Sequence, residues 1–174
     1  IDNVMFQNAV FKKRAVNVGV LDPSWVDDFG VVGPNARAAG YNRDVRKDYP
    51  YLIYDRLDWE VPVLQDSDIY TRGRIRWMDI TVTVDLIRQI LAKMPEKGDI
   101  KAQTPNVLHW KIPPGETYVR SESSRGEYGY YMVSDGSEYP RRINLRGPSY
   151  THAVSLLEHM LIHTNIADVG ALMV

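Results

Sequence analysis

The chain has 174 residues, 44% of them hydrophobic, with 21 basic against 22 acidic side chains and no cysteine, the composition of one ordinary globular unit. A charge this close to zero supplies no field to gather nucleic acid or an anionic membrane, and the missing cysteines exclude a disulfide framework, a thiol nucleophile and a metal cluster held by cysteines of this chain. At 19.9 kDa a compact monomer exposes roughly 8,700 Å² against roughly 29,000 Å² for the extended chain, so a real core can form, while no apolar run reaches the ~20 residues that span a bilayer.

The sequence opens on Ile1 without a basic-then-apolar leader, as expected of a piece of a longer protein. Over residues 1–17, Val4, Met5, Ala9 and Val10 fall at helical spacing and Lys12-Lys13-Arg14 suits a helix C-terminus, so this stretch reads as a helix. Asp22-Pro23 supplies an N-cap and a proline at the first helical position, starting a short helix that Gly30 can end after Phe29. Gly33-Pro34 and Gly40 bracket Asn35 to Ala39 too closely for a long element, which leaves a tight loop or a single turn. From Tyr41 to Val63 no period persists and Pro50 and Pro62 interrupt, so an extended, packed connection completes residues 1–63.

The strongest period lies in residues 70–94, which are expected to form one long helix. Ile75, Met78, Val82, Leu86 and Ile90 make one apolar stripe; Trp77, Ile80, Val84, Ile87, Leu91 and Met94 make another. At about 100° per residue the stripes sit roughly 160° apart, the pattern of a helix packed between layers. Between them Arg76, Asp79 and Thr83 are spaced i, i+3, i+7, a polar track in which Arg76 and Asp79 are expected to pair.

After a polar connection up to Pro113-Pro114-Gly115 the period changes to two. Tyr118 and Arg120 alternate with Val119 and Ser121, and Tyr128, Tyr130 and Met132 with Gly129, Tyr131 and Val133, about a turn at Ser124-Arg125-Gly126. Asp135-Gly136 makes the next turn, into a strand around Arg141 to Leu145, so residues 116–146 are expected to form a three-stranded antiparallel meander. Behind Pro148-Ser149, Ala153, Leu156, Leu157, Met160 and Leu161 return to helical spacing, and a further helix is expected from about Asn165, giving helices over 149–174. The fold class is α+β, a long-helix bundle portion beside an antiparallel β meander.

Chemistry-bearing residues are few. His152, His159 and His163 share one face of an unbroken helix, but seven residues rise about 10 Å, so His152 cannot share an ion with the other two; all three read as solvated or hydrogen-bonded, not as ligands. Gly19, Gly30/Gly33 and Gly126/Gly129 lack the layout of a phosphate loop, and no nucleophile elbow is present. The run Arg43 to Asp48 alternates in sign, as a solvated face or an ion-pair network does. The turn Arg125-Gly126-Glu127 projects a cation and an anion from a rigid hairpin, either as a plain exposed turn or as part of a binding site.

The block Ser124-Arg125-Gly126-Glu127-Tyr128-Gly129-Tyr130-Tyr131-Met132-Val133-Ser134-Asp135-Gly136, followed by Pro140-Arg141-Arg142 and Arg146-Gly147-Pro148-Ser149, resembles the D-type, or 49 kDa-type, subunit of complex I-type NADH:quinone oxidoreductases. Further blocks agree in order: Phe11 to Arg14 with Val18-Gly19-Val20, Gly33 to Gly40, Asp44 to Lys47 with Pro50-Tyr51, and Leu57 to Pro62. Arg76, Asp79 and Thr83 fall where that family usually has Arg, Glu and Ser. The likeness runs almost end to end.

The resemblance implies a peripheral-arm subunit, on the cytoplasmic face of a cell membrane or the matrix side of the mitochondrial inner membrane, that helps to form a quinone-reduction pocket. It implies that quinone is the substrate of the complex, that the adjacent iron–sulfur cluster is ligated by a neighbouring subunit, and that NADH or another reduced donor reacts at distant subunits. No cofactor, catalytic residue or metal ligand is assigned to this span. The implied partners are the iron–sulfur subunit, together with a C-like subunit and the membrane arm. Arg125 matches a position that is Lys or Arg at the pocket side of the family, which makes Arg125 and Glu127 the quinone-pocket candidates. The family's upstream His-rich hairpin, its quinone-facing Tyr and its final acidic-Arg terminus are not among these 174 residues. The fold so implied is part of that shared with the large subunit of nickel-iron hydrogenases, whose metal-binding Cys pairs lie outside this span. A membrane-bound hydrogenase large subunit, or a scaffold with no chemistry of its own, are therefore the alternatives; flanking Cys-x-x-Cys motifs would mark the first.

Overall fold

The structure is a computed structural model that describes residues 2–101, 103 and 110–173; much of the polar connection ahead of Pro113 lies outside them. The N-terminal stretch is two elements, not one helix. A π-helical turn, Asp2–Phe6, stops short of Asn8, whose side chain accepts hydrogen bonds from the N–H groups of Val10 and Phe11 at 2.8 and 3.2 Å and so starts α1 (Ala9–Ala15) afresh. α2 (Ser24–Asp28) follows the Asp22 carboxylate, which accepts from the backbone and hydroxyl of Ser24 at 2.9 and 2.7 Å. The glycine-bracketed segment is a short, wholly buried helix, α3 (Pro34–Ala38), with proline in its first turn. Within the irregular connection lie α4 (Val45–Asp48), capped by Asp44, and a 3₁₀ turn, Tyr54–Arg56.

α5 (Ile69–Lys93) is about 37 Å long and begins at Asp68, which accepts from the Thr71 N–H at 2.7 Å. Its first turn enters the main core, where Ile69 joins Ala15, Leu21, Val26, Leu156 and Leu172, each at most 5% exposed. Full burial of side chains of this size contributes roughly 1.5–3 kcal/mol apiece, which is what gathers both ends of the chain at one end of α5. Farther along, Leu86 packs with Leu57 and Trp59 in a second, smaller cluster. Only one apolar stripe is covered: Ile75 and Leu86 are buried, whereas Ile80, Val84, Ile87, Leu91 and Met94 are 42–60% exposed.

β1 (Gly115–Ser123), β2 (Gly126–Ser134) and β3 (Arg142–Arg146) form an antiparallel sheet in sequence order, and Ser123 opposite Gly126 leaves Ser124 and Arg125 as the hairpin turn. Alternation puts Val119, Tyr130, Ile143 and Leu145 on one face, where they stay 49–58% exposed. Glu122, Arg120, Glu127 and Arg146 fall on the other. The hairpin crosses the start of α3 backbone to backbone: a Cβ on Gly33 would lie 2.4 Å from the Arg125 carbonyl oxygen, and one on Gly126 2.7 Å from the Gly33 nitrogen. Both glycines also have positive φ, 67° and 118°.

α6 (Pro148–Tyr150), a π-helical stretch Thr151–Leu156 and α7 (Leu157–Met160) run on without a break; a 3₁₀ turn, Ile166–Asp168, and α8 (Val169–Leu172) close the fold. The expected histidine face is broken, because α7 ends before His163, which sits at φ 63°. His152 is buried: its Nε2–H donates to the Leu172 carbonyl at 2.8 Å and Nδ1 accepts from Asn35 at 3.1 Å. Burial pushes its pKa down, so the neutral ring acts as a core hydrogen-bonding group. No helix among the described residues is long and apolar enough to cross a membrane.

Candidate functional site

Gly33 and Pro34 start α3 so that Arg37 turns inward, with 2% of its side chain exposed. Its guanidinium donates to Oδ2 of Asp44 at 2.8 Å and to Oδ2 of Asp79 at 2.7 Å, linking α3, α4 and α5. Asp44 accepts as well from the backbone N–H and Nε of Arg46, both at 2.9 Å, and from its Nη2 at 2.7 Å. Arg46 lies over the Trp59 ring, 4.6 Å from the centroid. A buried charge is tolerable only when paired and hydrogen-bonded, and Asp44 between two arginines meets that condition. Glu122 completes the network from β1. Its Oε2 accepts from the Val45 N–H at 3.2 Å, its own N–H donates to the Tyr51 hydroxyl at 3.2 Å, and its Oε1 is buried without a hydrogen-bond partner among the described residues.

This network floors a groove of about 490 Å³ between α5 and the hairpin turn. Arg76, Asp79 and Thr83 all line it, so the polar track of the helix faces one cavity, with Ile80 and Val84 as its apolar wall. The pairing inside the track differs from the expected one. Asp79 is held by Arg37, not Arg76, whose Nη1 instead donates to the Ser124 carbonyl at 3.3 Å. Arg37 is the more deeply buried cation, and satisfying it removes the larger desolvation penalty.

Burial, and then the charge of Arg125, push the Arg76 guanidinium below its ordinary pKa, with Asp79 pulling the other way. Burial also raises the Asp79 carboxyl, with Arg37 at 2.7 Å and Arg46 pulling the other way and the charge of Asp44 adding to the rise. The groove therefore presents cations and a carboxyl that are incompletely solvated beside an apolar wall. Such a surface suits a ligand with a polar head and an apolar body.

Arg125 and Glu127 do not share a site. Nη1 of Arg125 donates to the Ser149 hydroxyl at 3.1 Å, and its side chain borders an apolar depression of about 570 Å³ formed with Tyr128 and Pro148. Glu127 accepts from the Tyr118 hydroxyl at 3.0 Å and lies 3.9 and 4.0 Å from Arg120 and Arg146, on the opposite side of the hairpin. There it lines another cavity, of about 430 Å³, between the sheet, α4 and the segment before α3. Sequence reasoning missed Arg37 and Glu122, and took Asp44 and Arg46 for part of an alternating charged run. The available signal was Gly-Pro three residues ahead of Arg37, a helix start that directs this arginine inward, and an Asp-x-Arg cap at Asp44.

The profile of the family described as respiratory-chain NADH dehydrogenase, 49 Kd subunit, matches residues 1–110 and 107–174. The D-type subunit of the NADH-quinone oxidoreductase of Thermosipho melanesiensis is 38% identical over 172 residues, covering 97% of this chain and 46% of that protein. That of Syntrophobacter fumaroxidans is 39% identical over 166 residues, covering 95% and 44%. A solved structure of the membrane-bound sulfane sulfur reductase, an archaeal respiratory membrane complex, contains a chain with 40% identity and a TM-score of 0.91, covering 99% of this chain and 47% of that one. The chain spans about half the length of the curated relatives it matches.

Proposed function

Because the chain belongs to the family of the 49 kDa subunit of respiratory-chain NADH dehydrogenases, we propose that it serves as a peripheral subunit of a complex I-type NADH:quinone oxidoreductase and supplies one wall of the pocket in which quinone is reduced. The observation that carries this reading is the groove of Arg76, Asp79 and Thr83, polar on its floor and apolar along Ile80 and Val84, which matches a quinone's carbonyl head and hydrocarbon body. Electrons would arrive from an iron–sulfur cluster on a partner subunit, none of these 174 residues being a cysteine. The uncovered stripe of α5 and the uncovered face of the sheet support assembly with further protein, including the C-like subunit and the membrane arm.

Arg125 lies outside the groove, on the hairpin turn beside it, where its charge reaches Arg76; from there it stabilises negative charge developing on the reduced acceptor and ties the turn to α6 through Ser149. Glu127 acts from the far side, keeping the hairpin in place through Tyr118, Arg120 and Arg146. In the complete complex, Arg125→Ala is expected to lower quinone reductase turnover while the upstream clusters are still reduced, and Arg125→Lys to retain part of the activity. Wild-type turnover in Arg125→Ala would sink this role. A second reading, reduction of a sulfane sulfur compound, is favoured by the 40% identity to the sulfur reductase chain. Supplying purified complex with either decylubiquinone or an organic polysulfide, and following oxidation of its clusters, separates the two.

A further inference from the structure

Glu122 lines both the groove beside α5 and the cavity on the charged side of the sheet, so this one residue forms part of the wall between them. We propose that Glu122 passes protons through that wall, receiving each from water on the sheet side and giving it up in the groove to the acceptor as the acceptor is reduced. The proposal rests on the acceptor-reducing role argued above.

Two features single out Glu122 from the other acids of the network. Asp44 has both carboxylate oxygens taken up by Arg37 and Arg46; Asp79, like Glu122, has a buried oxygen without a partner among the described residues, but its other oxygen is tied to the Arg37 guanidinium and it lines the groove without lining the cavity on the sheet side. Among the described residues Glu122 is bonded at one oxygen, to the Val45 N–H, and its other oxygen is buried and open to carry a proton. The charges facing it are Asp44 and Arg46 from α4 and Arg37 from α3, with Tyr51 at its backbone N–H. Arg76 and Asp79 of α5 stand across the groove; Arg43, Asp48, Arg120, Glu127 and Arg146 stand around the other cavity. Burial, and then Asp44, push its carboxyl up to about 7, with the Val45 N–H, Arg37 and Arg46 pulling the other way. Both protonation states are then populated near neutral pH, as a group that gains and loses a proton in each cycle requires.

The proton count of the reaction calls for such a group. A quinone becomes a hydroquinone by taking two electrons, here from an iron–sulfur donor, and two protons. For each proton delivered by this route the O–H bond of the Glu122 carboxylic acid breaks, a new O–H bond forms on the reduced quinone oxygen, and the carboxylate takes up a proton from water in the cavity on the sheet side.

The test uses the complete complex. Difference infrared spectroscopy is expected to show a carboxylic-acid C=O band that titrates with a midpoint of about pH 7 and disappears in Glu122→Gln. Turnover with decylubiquinone is expected to fall by about tenfold or more in Glu122→Gln, with KM unchanged and cluster reduction intact, and to be partly restored in Glu122→Asp. No such band in the wild type, a band that Glu122→Gln leaves in place, full turnover in Glu122→Gln, or equal turnover in the Gln and Asp variants would each overturn the proposal. A wild-type complex that reduces no quinone defeats the functional reading instead, and the infrared titration still decides whether Glu122 exchanges protons.

Discussion

Arg37 touches two carboxylates on two other elements and is 2% exposed, so removing its guanidinium strands both charges in a poorly hydrated site. Breaking a buried pair in this way costs about 3–5 kcal/mol, and Arg37→Ala is expected to lose that much in urea unfolding, while Arg43→Ala, whose bridge to Asp27 is exposed, loses less than about 1 kcal/mol. Similar midpoints for the two variants would show that the network does not hold the fold. Glu122 makes the other prediction at this scale. Burial, followed by Asp44, raises its pKa from 4.5 to about 7, so the folded protein binds this proton more tightly than the unfolded chain. The stabilisation is fully present below about pH 4.5 and is lost as pH rises through about 7. Glu122→Gln is expected to flatten that fall, so melting temperatures of the two proteins should diverge between pH 5 and pH 8, roughly the span of the shift, with the variant the more stable at the alkaline end. Parallel curves would refute it.

At the scale of elements, neighbouring residues on α5 separate two kinds of apolar surface. Leu86 is 3% exposed against Leu57 and Trp59, and Leu86→Ala is expected to cost about 2–5 kcal/mol of chain stability. Ile87, at 51% exposure, lies on the uncovered stripe: Ile87→Ser should change chain stability by less than about 0.5 kcal/mol, yet lower the yield of assembled complex. Equal effects on stability would mean that the two stripes are not distinct. The hairpin joint gives a second contrast, since Gly33→Ala meets the Arg125 carbonyl at positive φ and is expected to cost more than about 2 kcal/mol, whereas Gly98→Ala meets nothing among the described residues and should be near neutral. Thermal unfolding of the two variants checks this directly. The helix and the hairpin were legible because period and turn chemistry are local: the long helix is Ile69–Lys93 against an expected 70–94. The break before Asn8 was masked by apolar residues that keep helical spacing on both sides of it. The partners of Arg37 were not legible, because Asp44 and Asp79 lie seven and 42 residues away and no local pattern records such pairs. Alternating sign in residues 43–48 likewise looks the same on a solvated face as in a buried network, and only α3 and β1 packing against Asp44 decides between them.

At the scale of the whole molecule, the chain exposes 11,964 Å², more than a third above the roughly 8,700 Å² of a compact monomer of its mass. One helix stripe and one sheet face exposed at 42–60% contribute to that excess, consistent with relatives about twice the chain's length. The main core also has an unusual span, since Ala15 near one end and Leu172 near the other belong to the same cluster. Contacts of such long range form slowly, whereas the hairpin needs only its own neighbouring strands. On a ribosome adding roughly 5–20 residues per second, Leu172 emerges some 8–30 s after Ala15. Throughout that interval Leu21, Val26 and Val31 have no Leu156 or Leu172 to close over them, so this apolar surface stays open for longer than that of a fold whose core closes on neighbouring strands.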